Sequence, residues 1–225
     1  MRWIATPAFG VLLGTAVISA LIGVLLWRRR GVPGGILLSL VMFAVAEWAL
    51  VAGLEAAAVG LSSKVLWSKL EYLGSTCTAT LLLLFALRHT GRIDRVRLRW
   101  LLWLLPSIAL PLVFTNDWHG LHWTGFPAGP AGTNLVVYQH GPVFFVILAA
   151  LYAYVLSAAG LLIRDALQAG IARRRQAFAV LTAGLFPVIG GLLYAVNSSL
   201  FAGVNITPMS FATSGAVLAI SIVSF

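Results

Sequence analysis

Apolar residues run through this chain in long blocks broken by short polar or arginine-bearing segments. Seven blocks approach the roughly 20 residues that a helix needs to cross about 30 Å of hydrocarbon: Phe9–Trp27, Gly34–Val59, Trp67–His89, Arg99–Phe114, Pro142–Ile163, Ala177–Asn197 and Thr207–Phe225. Each predicts a transmembrane helix. The fourth is short and carries Pro106 and Pro111, a pattern that also fits a re-entrant segment. The seventh opens on Thr207 as cap with Pro208 in the first turn, a helix-start signal. Between the fourth and fifth blocks, the stretches Leu121–Phe126 and Leu135–His140 are β-prone and flank a Gly/Pro-rich turn, which predicts a hairpin.

Basic residues fix the orientation. Arg28, Arg29 and Arg30 form one cluster, Arg88, Arg92, Arg95, Arg97 and Arg99 a second, and Arg164 with Arg173, Arg174 and Arg175 a third, all in alternate loops. Positive loops stay cytoplasmic, so the expected fold is an all-α integral membrane protein of seven helices. Its N-terminus is outside, its C-terminus cytoplasmic, and the hairpin extracytoplasmic. A fourth block that failed to cross would put the Arg173 cluster on the wrong face, so it is read as a kinked span. Residues 1–225 are expected to form one membrane domain in the inner (plasma) membrane, with no cytoplasmic output domain among them.

Composition agrees and removes two alternatives. Hydrophobic residues make up 60% and charged residues 9% of the chain, against about a quarter charged in soluble domains. The net charge of +9 sits in the topology clusters, so it speaks for membrane lipid and not for nucleic acid. The first block is followed by three arginines and not by a small-residue cleavage site, so it reads as a retained helix. One cysteine, Cys77, rules out an intramolecular disulfide.

Candidate chemistry gathers at the outer ends of the blocks. Ionisable groups within membrane spans are costly and mark sites by default, which singles out Glu47 and Glu55 on the second block and Lys69 and Glu71 on the third. The outer segment 115–141 has no lysine or arginine and holds Asp117, Trp118, His119, His122, Trp123 and His140. Its histidine spacing matches no zinc signature, and no metal or other cofactor is expected. The ligand-binding set is therefore Glu47, Glu55, Lys69, Glu71, Trp118, His119, His122 and Trp123. For Lys69 and Glu71 snorkelling to water is an equally simple account, and for the histidines structural hydrogen bonding is. Pro187, with Gly190 and Gly191, marks a kink that acts either as a packing feature or as a hinge.

Several short segments in fixed order carry a resemblance: Trp67 and Leu70 to Gly74, Arg88 to Arg92, Pro106, Thr115-Asn116, His119 and Trp123, Tyr152 and Tyr154, Pro187, Tyr194, Thr207-Pro208 and Phe211. Together they make the chain similar to the N-terminal seven-helix sensor region of bacterial histidine kinases. The resemblance implies a signal-sensing input module, not itself an enzyme, that binds a small ligand or senses the envelope. It implies relay to a cytoplasmic signalling domain or partner kinase, and a homodimer, for which Gly10 and Gly14 offer a small-residue helix face. A small-molecule transporter and a membrane enzyme using the outer His/Asp/Glu cluster are the alternatives. The seventh block has no lysine to carry a retinal Schiff base.

Overall fold

The computed structural model describes residues 2–29, 31, 34–93, 99–129, 132–168, 189–190 and 207–223. Strand β1, Arg2–Trp3, precedes helix α1, Pro7–Arg28. The Thr6 side chain caps α1 by accepting from the Phe9 amide at 3.1 Å, and Pro7 occupies the first position, where its missing N–H costs nothing. Gly34, at φ 85°, turns the chain into α2, Gly35–Ala57. Strand β2, Ala58–Val59, then pairs antiparallel with β1.

Helix α3, Leu61–His89, starts six residues before the expected Trp67 and has 29 residues. At about 1.5 Å per residue it is about 43 Å long, more than the hydrocarbon needs. Ser62, Ser63 and Lys64 in its first turn hide that start from hydropathy. The fourth block is split: a 3-10 helix over Arg99–Trp103 runs into α4, Leu104–Phe114, with Pro111 inside it. At about 2.0 Å per 3-10 residue and about 1.5 Å per α residue the two reach about 26 Å. Tyr154 Oη and Thr80 Oγ1 both donate to the Leu102 carbonyl, tying this segment to its neighbours.

One helical turn, α5, Asn116–His119, ends at Gly120 with φ 61°. Strands β3, Trp123–Gly125, and β4, Gln139–His140, pair antiparallel with Trp123 opposite His140, and an isolated bridge joins Ala128 to Val136. Helix α6, Pro142–Gln168, runs five residues past the expected Ile163, and α7 covers Thr207–Val223. The sixth expected span, 177–197, lies outside the described residues except for 189–190, and Pro187, Gly191 and Tyr194 lie outside with it.

Among the described residues, four helices are long and apolar enough to cross a membrane: α1, α2, α3 and residues 142–165 of α6. Helix α2 is central, packed between α1 and α3 and touched by α7, while α6 packs on α3. Small residues allow the close crossings: a Cβ on Gly23 would meet the Phe43 ring at 2.9 Å, and Ser39 Oγ donates to the Gly23 carbonyl at 2.6 Å. One core joins Leu38, Met42 and Val45 of α2, Phe85 and Ala86 of α3, Ala158 of α6 and Phe211 of α7. A second, beneath the β3–β4 pair, joins Val113, Trp123, Tyr138 and Ile147. The outward face of α1 instead exposes Ile18, Leu21 and Leu25, and α6 exposes Val146 at 69%. Such faces suit lipid, where an apolar side chain gains nothing by turning inward.

Candidate functional site

Between α2, α3, α6, α7 and strand β3 lies a cavity of about 70 Å³. A water occupies about 10–15 Å³ on this measure, so there is room for roughly five or six non-hydrogen atoms. Helix α3 supplies Ser68, Glu71, Tyr72, Ser75 and Ala79, at spacings of three and four that put them on one face. Helix α6 supplies the matching stripe of Phe144, Ile147, Leu151, Tyr152 and Val155. Trp48 of α2, Trp123 of β3, and Thr207 with Phe211, one turn apart on α7, complete the wall. The Trp48 indole N–H donates to Glu71 Oε2 at 3.4 Å, and its ring meets Phe211 at 5.6 Å between centroids.

The β3 side of the wall is fixed by a residue whose structural role the sequence did not announce. Asn116 is buried; its Oδ1 accepts from the amides of His122 at 2.8 Å and Trp123 at 3.0 Å, and its Nδ2 donates to the Trp123 carbonyl at 3.1 Å. Side-chain mimicry of a strand partner in this way locks the chain where it enters β3. Trp123 is then held over the cavity, 5.9 Å from Tyr72 and 5.4 Å from Tyr138.

Of the eight residues expected to bind ligand, Glu71 and Trp123 line the cavity. His122 stands directly behind the lining: it is fully buried, with ring centroids 4.7 Å from both Tyr72 and Trp123 and 5.7 Å from Phe144. Neither of its ring nitrogens has a hydrogen-bond partner among the described residues. Burial, with the nearby His140 and His119 adding to it, pushes its pKa down to about 3. Burial likewise lowers His140, stacked on Phe144 at 3.6 Å, to about 4. Both rings are neutral at ordinary pH.

The other five sit elsewhere. Glu47 lies in the α2–α3 crossing with Oε2 against Gly74. Glu55 accepts from Tyr138 Oη at 2.9 Å and pairs with the buried Lys64 at 3.5 Å, clamping the segment before β4 to the end of α2. Lys69 is buried, donating to Asp117 at 2.6 Å and to the Phe114 carbonyl at 3.2 Å. His119 accepts from the Leu121 amide at Nδ1 and so carries its proton at Nε2, which donates to the Leu112 carbonyl at 3.0 Å. Trp118 is 87% exposed and is not among the residues lining the cavity. Gly190 packs closely against Ser210 of α7, where a Cβ would meet the Ser210 side chain.

The family model of the N-terminal 7TM region of histidine kinase matches residues 11–225. The chain belongs to that family. No curated protein matches it. As a histidine-kinase 7TM region it is a membrane protein and a sensor input module, and the matched family is the membrane region of such kinases rather than their catalytic part. Within this 7TM region the cavity is lined by several residues of the short segments that carried the resemblance: Glu71 and Tyr72, Trp123, Tyr152, Thr207 and Phe211. Sequence reasoning missed Ser68, Ser75, Trp48 and Phe144. The signal available for the first two was the polar stripe at positions 68, 71, 72 and 75 on an otherwise apolar helix.

Proposed function

We propose that this 7TM region detects a small molecule in the α2–α3–α6–α7 cavity and relays its presence through α7 to a cytoplasmic output domain or partner kinase. The observation that carries this reading is the presence of Thr207 and Phe211 in the cavity wall. Both lie in the first turns of α7, so an occupant presses directly on the helix that leads out of the bundle. A ligand shifts such a helix only by binding one of its positions better than another, and a wall shared between a packed pair, α2–α3, and α7 supplies that difference. The chemistry is binding, without catalysis.

The same reading makes the chain one sensor domain of seven spans in the inner membrane, N-terminus and β3–β4 hairpin outside. Several features support it. Arg28, Arg88 and Arg164 stand at the C-terminal ends of α1, α3 and α6, and Arg92 pairs with Asp165 at 3.8 Å across that end. A single basic end is what the positive-inside rule selects for the cytoplasm. Lys64 and Lys69, at the opposite end, are each paired with a carboxylate.

The test is a fusion of the chain to a histidine-kinase reporter driven by its natural stimulus. Filling the cavity with Ala79→Phe abolishes the response while membrane insertion is retained. A filled cavity with an undiminished response removes the proposal. Sidedness is checked separately by labelling Trp118→Cys in a Cys77→Ser background, where modification from the cytoplasmic side alone overturns the orientation.

A further inference from the structure

We infer that the cavity selects a small organic cation, a quaternary ammonium or compact amine, over neutral or anionic molecules of the same size. The inference rests on the cavity being the input site and adds the class of molecule that fits it. Six of the lining side chains are aromatic, and a single carboxylate, that of Glu71, stands among them, while no lysine or arginine lines the wall among the described residues. Electron-rich rings attract a cation through their quadrupoles, most strongly where water is excluded, and Glu71 is only 8% exposed.

The nearby cations are already engaged. Lys69 is turned to Asp117 and Lys64 to Glu55, so their positive charge is matched outside the cavity and does not line it. Trp48 holds the Glu71 carboxylate from one side by its indole N–H and contributes its ring to the same wall. Ser68 and Ser75, one turn before and after Glu71 on the same face of α3, give hydroxyls that serve an N–H donor or a bound water. An anion placed here would face the Glu71 carboxylate at low dielectric. A neutral apolar molecule carries no charge for the ring faces or for Glu71 to attract. A cation has an attractive partner on each side. The volume, about 70 Å³, suits a head of roughly five heavy atoms at the 10–15 Å³ that each water-sized group takes.

Three probes of five non-hydrogen atoms each separate the possibilities: tetramethylammonium, tert-butyl alcohol and propionate. Saturation-transfer NMR on the full chain in lipid nanodiscs, read as a function of probe concentration, gives each affinity. Tetramethylammonium binds at least tenfold more tightly than tert-butyl alcohol, and propionate gives no transfer. Glu71→Gln weakens tetramethylammonium at least tenfold and leaves the alcohol unchanged. Should Glu71→Gln not fold, Phe211→Leu replaces it: loss of one ring weakens the cation at least threefold and the alcohol not at all.

Equal binding of cation and alcohol, preference for propionate, indifference to both substitutions, or no binding of tetramethylammonium each overturns the inference. None of these touches the reading of the cavity as input site, which stands or falls on the Ala79→Phe reporter. Conversely, tetramethylammonium binding that survives Ala79→Phe places the cation elsewhere and sinks the inference alone.

Discussion

Asn116→Ala is the substitution that tests the architecture of the site most directly. Asn116 makes three buried hydrogen bonds, to the amides of His122 and Trp123 and to the Trp123 carbonyl. Truncation leaves two N–H groups and one C=O unpaired where the chain turns into β3. Each such group costs about 1–1.5 kcal/mol if the loop relaxes partly toward water, so the three together cost about 3–4.5 kcal/mol. Thermal unfolding in nanodiscs, followed by tryptophan fluorescence, therefore ranks wild type well above Asn116→Ala. Trp118→Ala, at a side chain 87% exposed, serves as the control and shifts the midpoint little. Since Trp123 sits in the cavity wall, Asn116→Ala also loses probe binding at temperatures where the helices are intact. An Asn116→Ala midpoint equal to that of the control would show that the hydrogen-bonded turn does not hold β3, and the account of how the site is built would fail.

Stability also depends on pH with a defined sign. His122 and His140 take up protons below about pH 6.5 when unfolded, but only near 3 and 4 when folded. The unfolded state thus binds more protons between those limits, and stability, level above pH 7, falls as pH drops from about 6.5 toward 4. His122→Leu flattens that decline, and a profile from pH 8 to 5 identical to wild type would refute the assignment. At the α2–α3 crossing, a Cβ on Gly74 would run into Glu47 Oε2, with the Trp48 Cβ at 2.7 Å and the Ala44 carbonyl at 2.8 Å. Gly74→Ala accordingly destabilises by about 1–2 kcal/mol, overpacking of about 1–3 less a helix gain of up to about 1. Gly10→Ala, inside α1 with nothing within 4 Å, keeps the helix gain of up to about 1 kcal/mol and does not lower the midpoint; equal effects of the two would contradict the packing. Finally, Lys69 is 9% and Asp117 65% exposed at the side chain, so breaking their pair is asymmetric. Asp117→Asn strands a buried cation and costs about 1–3 kcal/mol, whereas Lys69→Met leaves a solvated carboxylate and costs less. Chemical denaturation of both variants decides it, and the reverse order would be fatal to the argument.

What the chain disclosed in advance, and what it withheld, follows from the range of the interactions involved. Helix positions are written in runs of apolar residues because lipid demands that each backbone group be satisfied within its own segment; α1, α2 and α6 begin within two residues of the expected starts. The first turns of α3 escaped because Lys64 looks solvated in sequence, and only Glu55, nine positions away, explains its burial. The two-residue β1–β2 pair escaped because neither strand has a pattern of its own. Lys69 and Glu71 stand two residues apart and invite pairing in sequence. Residues two apart on a helix do not face each other, and in the structure the lysine goes to Asp117, 48 positions on, while the glutamate enters the cavity with Trp48, 23 positions back. Sequence reasoning thus found the carboxylate of the cavity by its cost in the membrane, and Trp123 in the outer segment, but not the helical rings as ligand contacts, since an aromatic side chain in an apolar helix carries no mark of whether it faces lipid, core or ligand. What sets Trp48, Tyr72 and Phe211 apart is that they converge from three helices on a wall containing an acid. That convergence comes from the tight α2–α3 crossing at Gly74 and from Asn116 fixing Trp123, so the selectivity of the cavity depends on two residues that do not line it.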